Sequence, residues 1–208
     1  MEHETRNDMI KHLQLKGNVT EIGVFRGDFS NKILELCPEV ERLTLVDIWP
    51  DYQTGSGDEN GNNMVNYKGI ENYKYVVAIF CKNERVRIMK DSSDDYFKFT
   101  RDDVLDAVYI DGDHSYEGCL KDLEGSRRVV KPDGWILGHD YKTNHKCKEN
   151  WDFGVKKAVD EFCEKYNLEI SHYGLDGCVS YAIKNVKQKD INGAICACSS
   201  CPCNPAVL

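Results

Sequence analysis

Between residues 18 and 183, short apolar runs alternate with longer amphipathic stretches. The runs read as buried strands and the stretches as helices, the pattern of an α/β layered fold with a mostly parallel sheet. Strand is predicted at 18–23, a helix at 29–36 capped by Asp28, and a second strand at 42–47. The polar, Gly- and Asn-rich segment 51–63 is expected to be a flexible loop. A helix over roughly 65–82, a strand at 86–89, a helix at 94–100 and an apolar strand at 106–110 follow. A further helix over 116–130 stops at the turn Lys131-Pro132-Asp133-Gly134, which leads into a strand at 135–138. A helix at 154–166 precedes strands at 168–171 and 179–183, and this helix-strand-strand ending places the last strand antiparallel beside its neighbour. Periodicity is lost after about residue 186, so residues 1–185 are expected to form one domain and 186–208 a mobile tail.

Composition narrows the classes. A chain of 208 residues with 41% apolar and 30% charged residues can bury a sizeable core as one domain. Its net charge of -8, with no basic run, argues against nucleic acid or an anionic membrane as the main partner. No apolar run approaches the roughly 20 residues of a membrane span, and the polar N-terminus lacks the core of a secretion signal. A soluble, cytoplasmic protein is expected. Cys37, Cys81, Cys119, Cys147, Cys163 and Cys178 are scattered and read as small buried hydrophobes in a reducing compartment. Cys196, Cys198, Cys201 and Cys203 have a spacing that could wrap a thiophilic metal or accept lipid, but a terminal tail with Pro202 and Pro205 is expected to be mobile instead.

Two stretches carry chemistry. In "EIGVFRGDFS" (21–30), Gly23 and Gly27 let the backbone turn sharply at a strand-to-helix junction and bring a ligand close to the peptide plane. Asp47, at the end of the next strand, is placed to accept hydrogen bonds from ribose hydroxyls, which points to an adenosine-type ligand. The dinucleotide pattern Gly-x-Gly-x-x-Gly is absent, which disfavours a nucleotide-dependent oxidoreductase. Glu21 would repel phosphates but suits a cationic group, which tips the ligand toward S-adenosylmethionine. The second stretch, "DAVYIDGDHSYEGCLKDLE" (106–124), crowds Asp111, Asp113, His114 and Glu117 at the end of an apolar strand.

Together "EIGVFRGDFS", "LVDIW", "AVYIDGDHSYEGCLKDLE", "VKPDGWILGHDY" and "GVKKAVDEF" resemble class I S-adenosylmethionine-dependent methyltransferases. Within that class they look most like the branch of macrocin O-methyltransferase and related metal-assisted sugar O-methyltransferases. The resemblance spans about residues 18–183. It implies a Rossmann-like, doubly wound, seven-stranded sheet with an antiparallel last strand and helices on both faces. It also implies that Glu21 and Gly23 line the methionine end of the cofactor, Asp47 holds the ribose, and Asp91, Ser92 and Ser93 border the adenine. Asp111 and the His139-Asp140 pair would then end side by side as a Mg²⁺ or Mn²⁺ site that Asp111 shares with the cofactor. His139 departs from the family, which has a carboxylate there, and the lost charge favours Mn²⁺. The resemblance favours Asp113 as the base that takes the acceptor's proton, with His114 also possible because imidazole titrates near neutrality.

The expected activity is therefore O-methylation of a sugar hydroxyl on a glycan or other small acceptor; the alternative is a catechol-like acceptor, whose site would need an apolar wall. A non-catalytic binding module has no reason to keep four ionisable groups together. The chain could also be a homo-oligomer or a domain of a longer protein. Plainer readings stand beside these. Asp113 could cap the helix near Ser115, Glu117 suits the helix dipole, and His145 and His172 read as structural. Trp49, Tyr52, Tyr141 and Trp151 suit either a core or a sugar-stacking role.

Overall fold

The computed structural model describes residues 1–54, 65–143 and 154–187. The chain runs β1 (Glu2–His3), α1 (Arg6–Leu13), β2 (Gly17–Ile22), α2 (Asp28–Leu36), β3 (Val40–Asp47), β4 (Asp51–Thr54) and β5 (Val65–Lys68). It continues α3 (Gly69–Phe80), β6 (Val86–Lys90), α4 (Ser93–Phe99), β7 (Leu105–Ile110), α5 (Tyr116–Val129), β8 (Val130–Thr143), α6 (Val155–Tyr166), β9 (Ile170–Gly174) and β10 (Cys178–Lys184). Eight strands form one sheet in the order β1-β9-β10-β8-β7-β2-β3-β6, and β4 pairs with β5 separately. Neighbours are parallel except β10, which runs antiparallel to both β8 and β9. This is the Rossmann-like methyltransferase fold.

The central strands are apolar on both faces because helices cover both. On one side Ile22, Val46, Val108, Ile110 and Ile136 pack with Leu123 and Val129 of α5 and Val155, Ala158 and Phe162 of α6. On the other, Leu43, Leu45, Ala107, Tyr109 and Leu137 pack with Met9 and Ile10 of α1, Ile33 and Leu34 of α2, and Val76 and Phe80 of α3. Strand order reverses direction between β2 and β7. A crevice opens at such a switch point, at the carboxyl ends of the strands. Among the described residues, no helix is long and apolar enough to cross a membrane.

Several local expectations are corrected. The sheet has eight strands rather than seven, because Glu2–His3 adds parallel to β9. Helix α1 was not foreseen; Thr5 caps it, its hydroxyl accepting from Asp8 N–H at 3.1 Å. The N-cap of α2 is Gly27, in the left-handed region at φ 77°, and not Asp28, which is the first helical residue. Residues 51–54 form β4 instead of loop, and residues 65–68 form β5 before the helix begins at Gly69. The turn at 131–134 lies within one long strand with a register shift between Leu105 and Ala107 of its partner. Strand β9 lies two residues later than expected. Cys37 and Cys119 are buried as read, whereas Cys81 is exposed. Trp49 is 1% and Tyr141 7% exposed, so both belong to the core. Residues 55–64, His145, Cys147, Trp151 and the tail from 188 lie outside the described residues, as does the side chain of Tyr52.

Gly23 shows how tightly the crevice floor is built. Its φ is 82°, and an added Cβ would sit 2.0 Å from the carbonyl oxygen of Asp111 on the neighbouring strand's loop. Gly23→Ala is expected to cost about 2–4 kcal/mol, from left-handed strain plus displaced backbone, measured as a lowered urea midpoint. A variant as stable as the parent would show that β2 and β7 are not held in this close approach.

Candidate functional site

A cleft of about 900 Å³ lies at the carboxyl ends of β2, β3 and β7, large enough for a nucleoside-sized ligand together with a second small molecule. Glu21, Gly23, Asp47, Asp91, Ser92, Ser93, Asp111, Asp113 and His114 all line it. Gly27 is not among the lining residues; a Cβ added there would sit 2.7 Å from the ring of Phe80.

Asp47 shapes one wall. Its Oδ2 accepts the N–H groups of Val24 and Phe25 at 2.9 and 3.0 Å, and its Oδ1 accepts that of Trp49 at 2.6 Å. Phe25 and Trp49 are both left-handed, at φ 53° and 40°. Three bonds to one carboxylate offset that strain and still leave Oδ1 an acceptor position. At the end of β6, Asp91 accepts Ser92 N–H at 2.9 Å, and Ser92 caps α4 by accepting from Asp95 N–H at 3.1 Å. Ser93 hydrogen-bonds Asp122.

Glu21 is 2% exposed and accepts the Ser30 hydroxyl at 2.5 Å. Burial pushes its carboxyl up to about 8, only partly opposed by that hydrogen bond. Glu21 therefore keeps its proton to a higher pH than an exposed glutamate does. An arriving cation is what would ionise it.

At the ends of β7 and β8, the ligand atoms of Asp111, His139 and Asp140 lie within 4.8 Å of one another. His139 Nδ1 is 3.4 Å from Asp140 Oδ1 and 3.8 Å from Asp111 Oδ1. His114 Nε2 bridges the same carboxylates, 3.1 Å from Asp140 Oδ2 and 3.4 Å from Asp111 Oδ1. Burial disfavours the charged imidazole, but its hydrogen bonds to Asp111 and Asp140 outweigh burial and raise His114 to about 10. Burial likewise opposes ionisation of Asp140, yet its bonds with His114 and His139 hold its carboxyl far below the usual range. Asp140 is also left-handed, at φ 59°. Asp113 is exposed and accepts Ser115 N–H at 2.9 Å, while Ser115 itself caps α5.

Among the cleft residues that sequence reasoning did not single out, four bear on its chemistry. Arg6 reaches it from α1, with Nη1 3.5 Å from Asp111 Oδ2. Asp122 lines it from α5, raised to about 6 first by burial. Phe25 and Ile48 present apolar side chains, 48% and 54% exposed. Only the last two carried a signal, since each stands beside a motif residue already singled out.

Residues 20–141, more than half of the chain, match the family model described as a methyltransferase domain. No curated protein sequence matches. Among solved structures, the chain is similar to a SAM-dependent methyltransferase from Aquifex aeolicus, at TM-score 0.60 and 16% identity over 88% of this chain and 91% of that one. It is similar to the N-methyltransferase NodS from Bradyrhizobium japonicum, at 0.59 and 13% over 88% and 95%. It is also similar to an O-methyltransferase family protein from Burkholderia thailandensis, at 0.57 and 11% over 86% of this chain, which spans 55% of that protein. Identities this low speak to the fold.

The buried Glu21 gives a pH signature. Its proton is held in the folded state up to about 8 but lost from the unfolded chain near 4.5, so its contribution to stability falls as pH rises through that window. Glu21→Gln removes this dependence. Relative to the variant, the parent is expected to lose on the order of a few kcal/mol between pH 5 and 8, read by denaturant unfolding at each pH. A stability difference that does not change with pH would refute the buried, proton-holding Glu21.

Proposed function

The chain belongs to the methyltransferase-domain family, and from that membership we propose that it is an S-adenosylmethionine-dependent O-methyltransferase acting, with a divalent metal, on a hydroxyl of a sugar or sugar-bearing acceptor. The observation that carries this reading is the meeting of Asp111, His139 and Asp140 at the ends of adjacent strands, beside a cleft walled by Glu21, Gly23 and Asp47. The donor set of two carboxylates and one imidazole fits Mn²⁺, and Mg²⁺ less well for want of a third carboxylate.

In this reading Glu21 and Gly23 receive the methionine end, the remaining acceptor position of Asp47 takes a ribose hydroxyl, and Asp91, Ser92 and Ser93 border the adenine. The cofactor supplies a methyl group on a positively charged sulfur. The metal supplies positive charge that stabilises a developing alkoxide. Asp113, exposed at the cleft rim, takes the acceptor's proton. His114, 3.1 Å from Asp140 Oδ2 and 3.4 Å from Asp111 Oδ1, is the alternative base. Holding both substrates in one cleft supplies much of the acceleration.

A second reading keeps the chemistry and changes the acceptor. Phe25 and Ile48 give the mouth of the cleft the apolar wall that a catechol-like acceptor needs. Assays with sugar and catechol acceptors in parallel separate the two readings.

Calorimetric titration should show binding of S-adenosylmethionine and none of NADH; the reverse would remove the methyltransferase reading. Methyl transfer should vanish with EDTA and return with Mn²⁺. Asp140→Ala should lower it by about 100-fold or more with cofactor affinity nearly unchanged, and a fully active variant would remove the metal assignment. His139→Asp, which restores a carboxylate, should shift the metal preference toward Mg²⁺, followed as the ratio of rates with the two ions.

A further inference from the structure

The methionine end of the cleft raises a charge problem. S-adenosylmethionine brings two cationic groups there, the sulfonium and the α-ammonium, and one anion, the α-carboxylate. Glu21 and Asp111 suit the cations and would repel the carboxylate. A cation is needed within the same wall.

Three described residues that line the cleft can carry positive charge: Arg6, Arg26 and His114. The guanidinium of Arg26 lies over the ring of Tyr75, 4.8 Å from its centroid, on the α3 side. His114 is engaged between Asp111 and Asp140. Arg6 stands beside the acidic wall and is close enough to Glu21 to oppose the rise of its carboxyl. Its guanidinium lies over Phe29 at 4.5 Å, and Phe29 in turn packs on Tyr109 at 4.3 Å. Its Nη1 is 3.5 Å from Asp111 Oδ2 and its Nε 3.9 Å from Asp176 Oδ2. Both exceed the 2.7–2.9 Å or so of a charge-assisted hydrogen bond, and with one further bond to the Tyr109 hydroxyl the five-donor fork still has capacity for a closer anion.

The residue is also fixed in place. Its backbone N–H donates to Asp176 Oδ1 at 2.7 Å, and its α-carbon packs so closely on Gly174 that an added Cβ there would sit 2.7 Å away. A planar guanidinium held on an aromatic bed suits a carboxylate better than a flexible ammonium does.

We infer that Arg6 receives the α-carboxylate of the cofactor, so that the cleft reads the amino-acid end as a zwitterion, with Glu21 facing the ammonium and Arg6 the carboxylate. The inference rests on the S-adenosylmethionine reading. It makes Arg6 a specificity residue: it rewards a cofactor that carries the carboxylate and disfavours one that lacks it. An Arg6 that merely neutralised Asp111 would give the opposite order, because removing an anion from a wall of carboxylates would strengthen binding.

The test is calorimetric binding of S-adenosylmethionine and of decarboxylated S-adenosylmethionine, which keeps the adenosine, sulfonium and ammonium, to the parent chain and to Arg6→Gln and Arg6→Lys. The parent should prefer the carboxylated form by about 10- to 100-fold. Arg6→Gln should lose that preference or reverse it, and Arg6→Lys should recover part of it. Should Arg6→Gln fail to fold, the parent's own preference still decides. Equal or tighter binding of the decarboxylated form by the parent overturns the inference, as does a preference unchanged in Arg6→Gln. Binding of neither form by the parent overturns the S-adenosylmethionine reading first, and this inference with it.

Discussion

The carboxylate of Asp47 is the post around which the cleft is formed. Two loops leave the sheet next to each other, one after β2 and one after β3, and neither has regular structure to satisfy its N–H groups. Asp47 takes three of them, from Val24, Phe25 and Trp49. Two of those donors belong to residues in a left-handed conformation that side-chain-bearing residues avoid. Charge-assisted bonds inside a buried site are strong enough to hold that geometry, and the glycine at 23 lets the first loop settle against the backbone of Asp111. The empty volume above is what remains when two loops are drawn toward one anion and away from a third strand.

A second balance sets the electrostatics. The cleft gathers Glu21, Asp47, Asp111, Asp113, Asp122 and, at its edge, Asp140. Crowding so many carboxylates is costly unless some are neutral or paired, and the structure uses both routes. Glu21 and Asp122 keep their protons longer because they are buried, whereas Asp140 stays ionised because two imidazoles face it. The cleft thus holds reserve negative charge that a cationic ligand can call out, with less standing repulsion among its walls.

The layered fold, the antiparallel last strand and most of the cleft's acidic wall were legible because each rests on local signals: apolar runs of strand length, glycines at a strand end, and aspartates just beyond. What escaped depends on contacts distant in sequence. Glu2–His3 is a strand only because β9 offers it an edge. Arg6 meets Asp111 through the docking of α1, which no local pattern announces. Asp122 looks like a solvated helical position until α5 packs and leaves it 2% exposed. Strands β4 and β5 are polar segments that pair with each other, so they lack the apolar alternation by which a half-buried strand is read. Gly27 replaces Asp28 as the cap because backbone conformation, rather than a side-chain acceptor, begins that helix.

The pairing of the first strand with the ninth has a temporal meaning. Arg6 is anchored by Asp176, 170 residues further along the chain, a partner that a ribosome delivers long after Arg6 itself. Met9 and Ile10 of α1 can pack on the central sheet earlier, but β1 has no edge to join and Arg6 no such anchor until β9 and the turn after it exist. The Arg6 side of the cleft therefore depends on residues made late. A nascent or truncated chain can thus possess the glycine turn and the Asp47 post and still lack the anchored Arg6 wall until synthesis has run past β9.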